Sequence, residues 1–226
     1  MAGAAPIGLV IFDCDGVLVD SEEASCRLCA QAAREAGMAV ADSDAVATFS
    51  GMALPLIQQM IERETGTDLG PHWADVMQAR FVSAMKEGVE PMPGVHAMLE
   101  AVHRLGVPVR VASNSSMEEM AVKFAATGLE PHFEGRIHSA RDMRVPKPRP
   151  DVYLHAARTQ GIEPARCLVL EDSDPGARAA VDAGMTCVML REAHKPIPNW
   201  PGLIRIEKLS EFPAIVARMA GVEEQA

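Results

Sequence analysis

The chain has 226 residues, 48% of them hydrophobic, enough to bury one good core and leave apolar material for a second, smaller one. A formal net charge of −10 disfavours a nucleic-acid backbone or an anionic membrane as partner, because either needs a basic surface, and points instead to small-molecule chemistry. No stretch reaches the roughly 18 apolar residues of a membrane span, and the N-terminus has no basic leader with a cleavage site, so a cytoplasmic location is expected.

The first element in chain order is the apolar run over residues 7–12, read as a buried central strand. It runs into Asp13-Cys14-Asp15-Gly16-Val17. Two carboxylates less than a turn apart at the end of a buried strand repel unless a cation or a proton neutralises them. In an open parallel sheet the crevice beyond the carboxyl ends of the strands is where ligands bind, so position and charge indicate the same place.

After Asp20 the alternation of strand and helix stops until about Pro91, and the intervening sequence reads as helix after helix. This pattern predicts an all-helical domain over residues 20–90, inserted into a core made of residues 1–19 and 91–226. Leu56, Ile57, Met60 and Ile61 form one apolar stripe, and Trp73, Met77, Phe81, Ala84 and Met85 another, with Gly66 and Gly88 as stops; both read as packing surfaces. Cys26 and Cys29 have the spacing of a redox or zinc pair. They fall in a helical pattern with no second pair nearby, however, and read as small core-side residues. The odd total of five cysteines fits a reducing compartment, and the seven histidines show no metal-binding pairing.

From Pro93 the alternation is regular. Val95, Met98, Leu99, Val102 and Leu105 make one face of a helix that Gly106 ends, and a strand follows over residues 107–112. Ser115 and Glu118 are placed for a capping box opening a helix with Met117, Met120, Ala121 and Phe124 on one face and Gly128 as its stop. Ile137 lies in a weaker strand. The segment Pro146-Lys147-Pro148-Arg149-Pro150 leads into a helix ending near Gly161, and residues 167–170 form the next strand, whose end carries Glu171 and Asp172. Asp174-Pro175 supplies a cap and first-turn proline for a helix to about Ala183, and residues 186–190 make another strand. Repeated strand-helix units argue for an α/β fold with a doubly wound parallel sheet, and the acidic tail over residues 223–226 reads as disordered.

Four polar clusters thus fall at or just beyond strand ends: Asp13 with Asp15, Ser113 with Asn114, Lys147, and Glu171 with Asp172. In this order, with the first as Asp-x-Asp-Gly-Val-Leu-Val-Asp-Ser and the last as Glu-Asp-Ser-x-x-Gly-x-x-Ala-Ala, they resemble the haloacid dehalogenase superfamily over most of the chain. The insertion directly after the first cluster resembles the helical cap of the β-phosphoglucomutase-like branch, which includes bacterial sugar-phosphate phosphatases.

A carboxylate that attacks phosphorus splits one hard transfer into two easier ones, and Asp13 is the expected nucleophile. The resemblance assigns it the same role. Asp15 is expected to protonate the departing alcohol and then take a proton from the attacking water. Haloacid dehalogenases proper lack this second acid. Lys147 offers a point charge to the phosphoryl group, and Ser113, Asn114 and the backbone that follows offer hydrogen bonds. Hard oxygen ligands from separate loops suit Mg2+, and the resemblance implies Asp13, the backbone carbonyl of Asp15, and Asp172 as its ligands. Glu171 either supports that set, through a water or by fixing Lys147, or coordinates directly.

Three positions depart from the wider pattern. Val17 stands where most of the superfamily has threonine, and on a gap-free reading Ser25 and Leu54 replace a histidine and an arginine of the sugar mutase. Their replacement favours hydrolysis over phosphoryl return. The segment Ser50-Gly51-Met52-Ala53-Leu54, with Gly51, Met52 and Leu54 as its candidate contacts, is expected to face substrate. The expectation is a monomeric, Mg2+-dependent phosphatase of a small phosphorylated metabolite, a sugar or sugar-acid phosphate, whose cap closes over the site. A phosphomutase and a non-enzymatic phospho-aspartate module are the alternatives.

Overall fold

Strand β1 (Leu9–Phe12) is wholly buried and pairs in parallel on both sides, as its unbroken apolar run demands. The computed structural model describes residues 5–49, 52 and 54–222, so the acidic tail lies outside the described residues. Parallel partners follow in β2 (Val109–Ser113), β3 (Ile137–Ser139), β4 (Cys167–Glu171), β5 (Thr186–Leu190) and β6 (Leu203–Ile206), giving a six-stranded sheet in the order β3-β2-β1-β4-β5-β6. The fold is the α/β, doubly wound arrangement expected.

Two compact units emerge from the chain contacts, Met1–Val19 with Pro91–Ala226 and Asp20–Glu90. The second unit is helical, with α1 (Glu22–Glu35), α2 (Ala45–Phe49), α3 (Leu54–Thr65) and α4 (Trp73–Glu87). Its interior is formed by Cys26, Cys29, Ala33, Phe49, Ile57, Ile61, Trp73 and Met77. Leu56, counted above in the apolar stripe of α3, is instead 54% exposed, because the buried line runs through Ile57 and Ile61 one turn apart. Cys26 and Cys29 sit in the α1 packing face as free thiols, and burial pushes them up to about 11 and about 12 respectively.

In the sheet unit, α5 (Val95–Arg104), α6 (Met117–Thr127), α7 (Glu130–Phe133), α8 (Asp151–Gln160), α9 (Asp174–Asp182) and α10 (Phe212–Ala220) accompany the strands. The two-residue period of β1 divides its side chains between the faces. Leu9 and Ile11 join Val152, Tyr153, Ala156, Ala177 and Ala180 of α8 and α9, while the Phe12 ring meets Phe133 and Phe212 edge-on at 6.0 and 5.7 Å.

Three local expectations shift. The capping box of α6 is made by Ser116 and Glu119, one residue later than expected, and Met117 and Ala121 face outward while Lys123 takes a place on the buried face with Met120, Phe124 and Thr127. The cap of α9 is Ser173, whose hydroxyl accepts from the Gly176 N–H, and Asp174 is already helical. Strand β6 and α10 carry no counterpart in the sequence reading; β6 is an edge strand in which only Ile206 is fully buried, so its periodicity is weak.

His138 of β3 is buried with its Nε2 3.1 Å from the Arg110 guanidinium and its Nδ1 3.0 Å from His155 Nδ1. Arg110 only donates, so Nε2 accepts and the neutral ring is favoured. Burial, Arg110 and His155 push His138 down to about 4. A histidine lowered in the folded state contributes stability above its unfolded pKa, here lost as pH falls from about 6.5 through about 4. Urea midpoints are therefore expected to show the advantage of the wild type over His138→Gln shrinking between about pH 7 and about pH 4; a constant gap contradicts the assignment.

Candidate active site

The register that sets Phe12 opposite Leu170 carries Asp13, the next residue, to the side of Glu171, and the Asp13 N–H donates to the Leu170 carbonyl at 2.9 Å. This point lies between β1 and β4, where the strand order reverses and a crevice opens at the carboxyl ends of the sheet. Carboxylate oxygens of Asp13, Glu171 and Asp172 lie within 4.8 Å of one another. Among the described residues this is the one acidic, histidine or cysteine group with such spacing.

Lys147 reaches this group from the loop between β3 and α8. Its buried ammonium donates to Asp13 Oδ1 at 2.6 Å and to Glu171 Oε1 at 2.7 Å, and lies 4.7 Å from the centre of the Tyr153 ring. The Lys147 N–H donates to Asn114 Oδ1 at 2.9 Å, tying the lysine loop to the end of β2, and the Lys147–Pro148 peptide is cis. Burial alone would favour neutral lysine, but Asp13 and Glu171 outweigh it and hold the ammonium charged.

The two acids that share Lys147 differ in their other partners. Glu171 Oε1 accepts from the Tyr153 hydroxyl at 2.9 Å, and Oε2 accepts from the Asp172 and Ser173 N–H groups and the Ser173 hydroxyl, each at 3.0 Å. Burial works to raise Glu171, yet Lys147 and these donors hold it below the usual carboxylate range. Asp13 is pushed up to about 7 by burial, with Glu171 and Asp15 adding to the rise against the pull of Lys147. Three carboxylates gathered beside one ammonium concentrate negative charge at this point. Asp13, Glu171 and Asp172 each offer a hard carboxylate oxygen at this spacing, a donor set whose chemistry fits a divalent ion such as Mg2+.

Two glycines leave room for these acids. At Gly16, φ is +77° and a Cβ would lie 2.1 Å from Asp172 Oδ2; at Gly176 it would lie 1.6 Å from Glu171 Oε1. Arg191 braces the same loop from behind, donating to the Asp172 carbonyl and to Asp174.

Asp15 belongs to a neighbouring arrangement. Its carboxylate accepts from Lys123 Nζ at 2.6 Å and from the Ser115 hydroxyl at 2.7 Å. Ser113 is buried at the end of β2, with its hydroxyl oxygen accepting the Ser115 N–H at 3.1 Å. Of the cap segment, Ser50, Gly51 and Ala53 lie outside the described residues, and Met52 and Leu54 pack against the helical unit's own apolar cluster. The sequence reading passed over Lys123, Ser115 as a partner of Asp15, Tyr153 and Arg191. Lys123 had a signal: it stands among Met120, Phe124 and Thr127 at helical spacing, where a charge needs a partner.

A family profile described as haloacid dehalogenase-like hydrolase matches residues 7–184. The chain belongs to the haloacid dehalogenase-like hydrolases. Within that family this hydrolase is similar to the 6-phosphogluconate phosphatase of Escherichia coli, at 29% identity over 212 residues that cover 92% of this chain and 94% of the relative. It is also similar to the fructose-1-phosphate phosphatase of the same organism, at 31% over 183 residues covering 80% and 95%. A hydrolase of the family from Deinococcus radiodurans, solved with bound phosphate and sodium, superposes with a TM-score of 0.77 at 30% identity, covering 98% of this chain and all of that one. The hydrolase is accordingly an enzyme of the phosphatase type, a phosphoric monoester hydrolase.

The glycine contacts are testable by stability. Gly176→Ala is expected to cost about 1–3 kcal/mol in urea unfolding, because the new methyl overlaps the fixed Glu171 carboxylate. Gly88→Ala, where a Cβ meets nothing within 4 Å, is expected to stay within about 0.5 kcal/mol of the wild type. Equal effects at both positions would contradict the packing argument.

Proposed function

We propose that the hydrolase removes phosphate from a small phosphorylated sugar or sugar acid through an aspartyl-phosphate intermediate on Asp13, with Mg2+ as its cofactor. The observation that carries this reading is the buried Lys147 ammonium bridging Asp13 and Glu171 at 2.6 and 2.7 Å, beside Asp172. The similarity to sugar-phosphate and sugar-acid phosphatases supports the substrate class.

Asp13 is the nucleophile of the first half-reaction: its oxygen bonds to phosphorus as the ester oxygen leaves with a proton from Asp15. Asp15, now a carboxylate, takes a proton from water as that water attacks phosphorus, releasing phosphate and restoring Asp13. Lys147 both fixes Asp13 and offers positive charge to the phosphoryl oxygens in the transition state, and Ser113 with the N–H groups after β2 offers hydrogen bonds. When bound among Asp13, the Asp15 carbonyl and Asp172, Mg2+ supplies positive charge against the phosphoryl oxygens. Ser25 and Leu54, in place of the mutase's histidine and arginine, support water as the acceptor. The cap segment over residues 50–54 is the proposed source of selectivity among leaving groups.

Released phosphate measured on a panel of phosphorylated sugars, sugar acids and nucleotides tests the reading. Asp13→Asn is expected to abolish turnover, and Lys147→Ala to lose about 2–4 kcal/mol of transition-state stabilisation. Chelation with EDTA should stop the reaction and added Mg2+ restore it. Robust Mg2+-dependent hydrolysis by the Asp13→Asn protein would sink the assignment, and conversion of a hexose 1-phosphate to its 6-phosphate would move it to the mutase.

A further inference from the structure

We propose that Lys123 is a positioning residue for Asp15, acting with Ser115 to fix the direction of the carboxylate that moves protons. The inference rests on the phosphatase reading above and extends it to two residues outside the four sequence clusters.

The three groups close a ring. Lys123 Nζ donates to Asp15 Oδ1 at 2.6 Å and to Ser115 Oγ at 2.9 Å, and Ser115 Oγ lies 2.7 Å from Asp15 Oδ2. A serine hydroxyl has one proton, and a lysine ammonium only donates. Ser115 therefore accepts from Lys123 and gives its own proton to Asp15, so each carboxylate oxygen has a donor whose direction is set. One bond would leave the carboxylate free to rotate about its Cβ–Cγ axis; two bonds to different oxygens do not.

Burial makes the clamp one-sided. The Lys123 side chain is 2% exposed, whereas that of Asp15 is 36% exposed. An ammonium placed so deep on the inner face of α6 is costly unless paired, and this arrangement pairs it with an acid and a hydroxyl. The rigid side thus belongs to Lys123 and the accessible side to Asp15. Lys147 is committed elsewhere, to Asp13 and Glu171. Asp13 and Asp15, two residues apart, are in this way held by two different lysines from two different elements. Proton transfer depends on placing donor and acceptor within hydrogen-bond reach of the reacting oxygen, so loss of the clamp is felt where a proton must be delivered.

The experiment compares kcat/KM for p-nitrophenyl phosphate, whose leaving group departs readily without a proton, with that for phenyl phosphate, whose leaving group depends more on protonation. Lys123→Met is expected to lower the phenyl ester about tenfold more than the nitrophenyl ester, Asp15→Asn to show the same split, and the double variant to add little to it. An equal loss on both esters, or none, overturns the proposal, because a merely structural lysine does not discriminate between leaving groups. If Lys123→Met does not fold, as judged by circular dichroism, Ser115→Ala carries the test, and it must show a split in the same direction. A split with Asp15→Asn but not with Lys123→Met or Ser115→Ala removes the clamp and leaves the phosphatase reading standing. No split with Asp15→Asn removes the assignment of Asp15 as proton donor, and the clamp with it.

Discussion

Like charge packed at the end of two neighbouring strands is the constraint around which this molecule is organised. The parallel pairing of β1 with β4 puts Asp13 beside Glu171, and Asp172 follows at once, in a place where burial pushes Asp13 up to about 7. A chain that meant only to fold would put apolar or neutral groups there, since buried ionic groups give little net stability over well-packed hydrophobic ones. The acids are kept, and the surrounding structure is arranged to tolerate them.

That tolerance is complete in its hydrogen bonding. Glu171 alone takes donors from Lys147, Tyr153, the N–H groups of Asp172 and Ser173, and the Ser173 hydroxyl. Burial, followed by the neighbouring Glu171, drives the Tyr153 hydroxyl well above its ordinary range, so it remains a donor. Among the described residues no buried side-chain nitrogen or oxygen lacks a partner. A half-satisfied network of this kind would cost more than none, which explains why residues from the ends of β1 and β4, from α8 and from the loop before α8 are all recruited to it. Gly176 belongs to the same arrangement, because the first turn of α9 passes through space that any side chain there would take from Glu171.

Much of this was legible in the amino-acid sequence, for physical reasons that also explain the rest. Buried strands announce themselves by apolar runs, and the acids and lysine at their ends stand out because charge seldom occurs there. The apolar run over residues 186–190 is one such strand. The start of α6 was displaced by one residue because Ser115-Ser116 and Glu118-Glu119 offer two capping boxes of equal local quality. The choice between them is tertiary: Ser115 is drawn to Asp15, 100 residues earlier in the chain, which leaves Ser116 to cap. Tyr153 looked like any aromatic of a helix core, since nothing local distinguishes a phenol that meets Glu171. Edge strand β6 exposes too much of itself for its periodicity to register.

The separation of Asp13 from Asp15 draws these points together. Cys14 between them is fully buried, and burial followed by the charge of Asp15 drives its thiol well above its ordinary range, so it adds no third charge to the turn. Lys147 then holds the deeper acid against Glu171, while Lys123 and Ser115 hold the shallower one. The two positions suit different work. A nucleophile gains from being immobile and shielded from water, whereas a group that gives a proton in one half-reaction and takes one from water in the next must keep one side open. In the proposed reaction the Asp13 side chain, 10% exposed, suits the first requirement, and that of Asp15, 36% exposed, suits the second. Two acids of identical chemistry are given different surroundings by which buried cation each one faces.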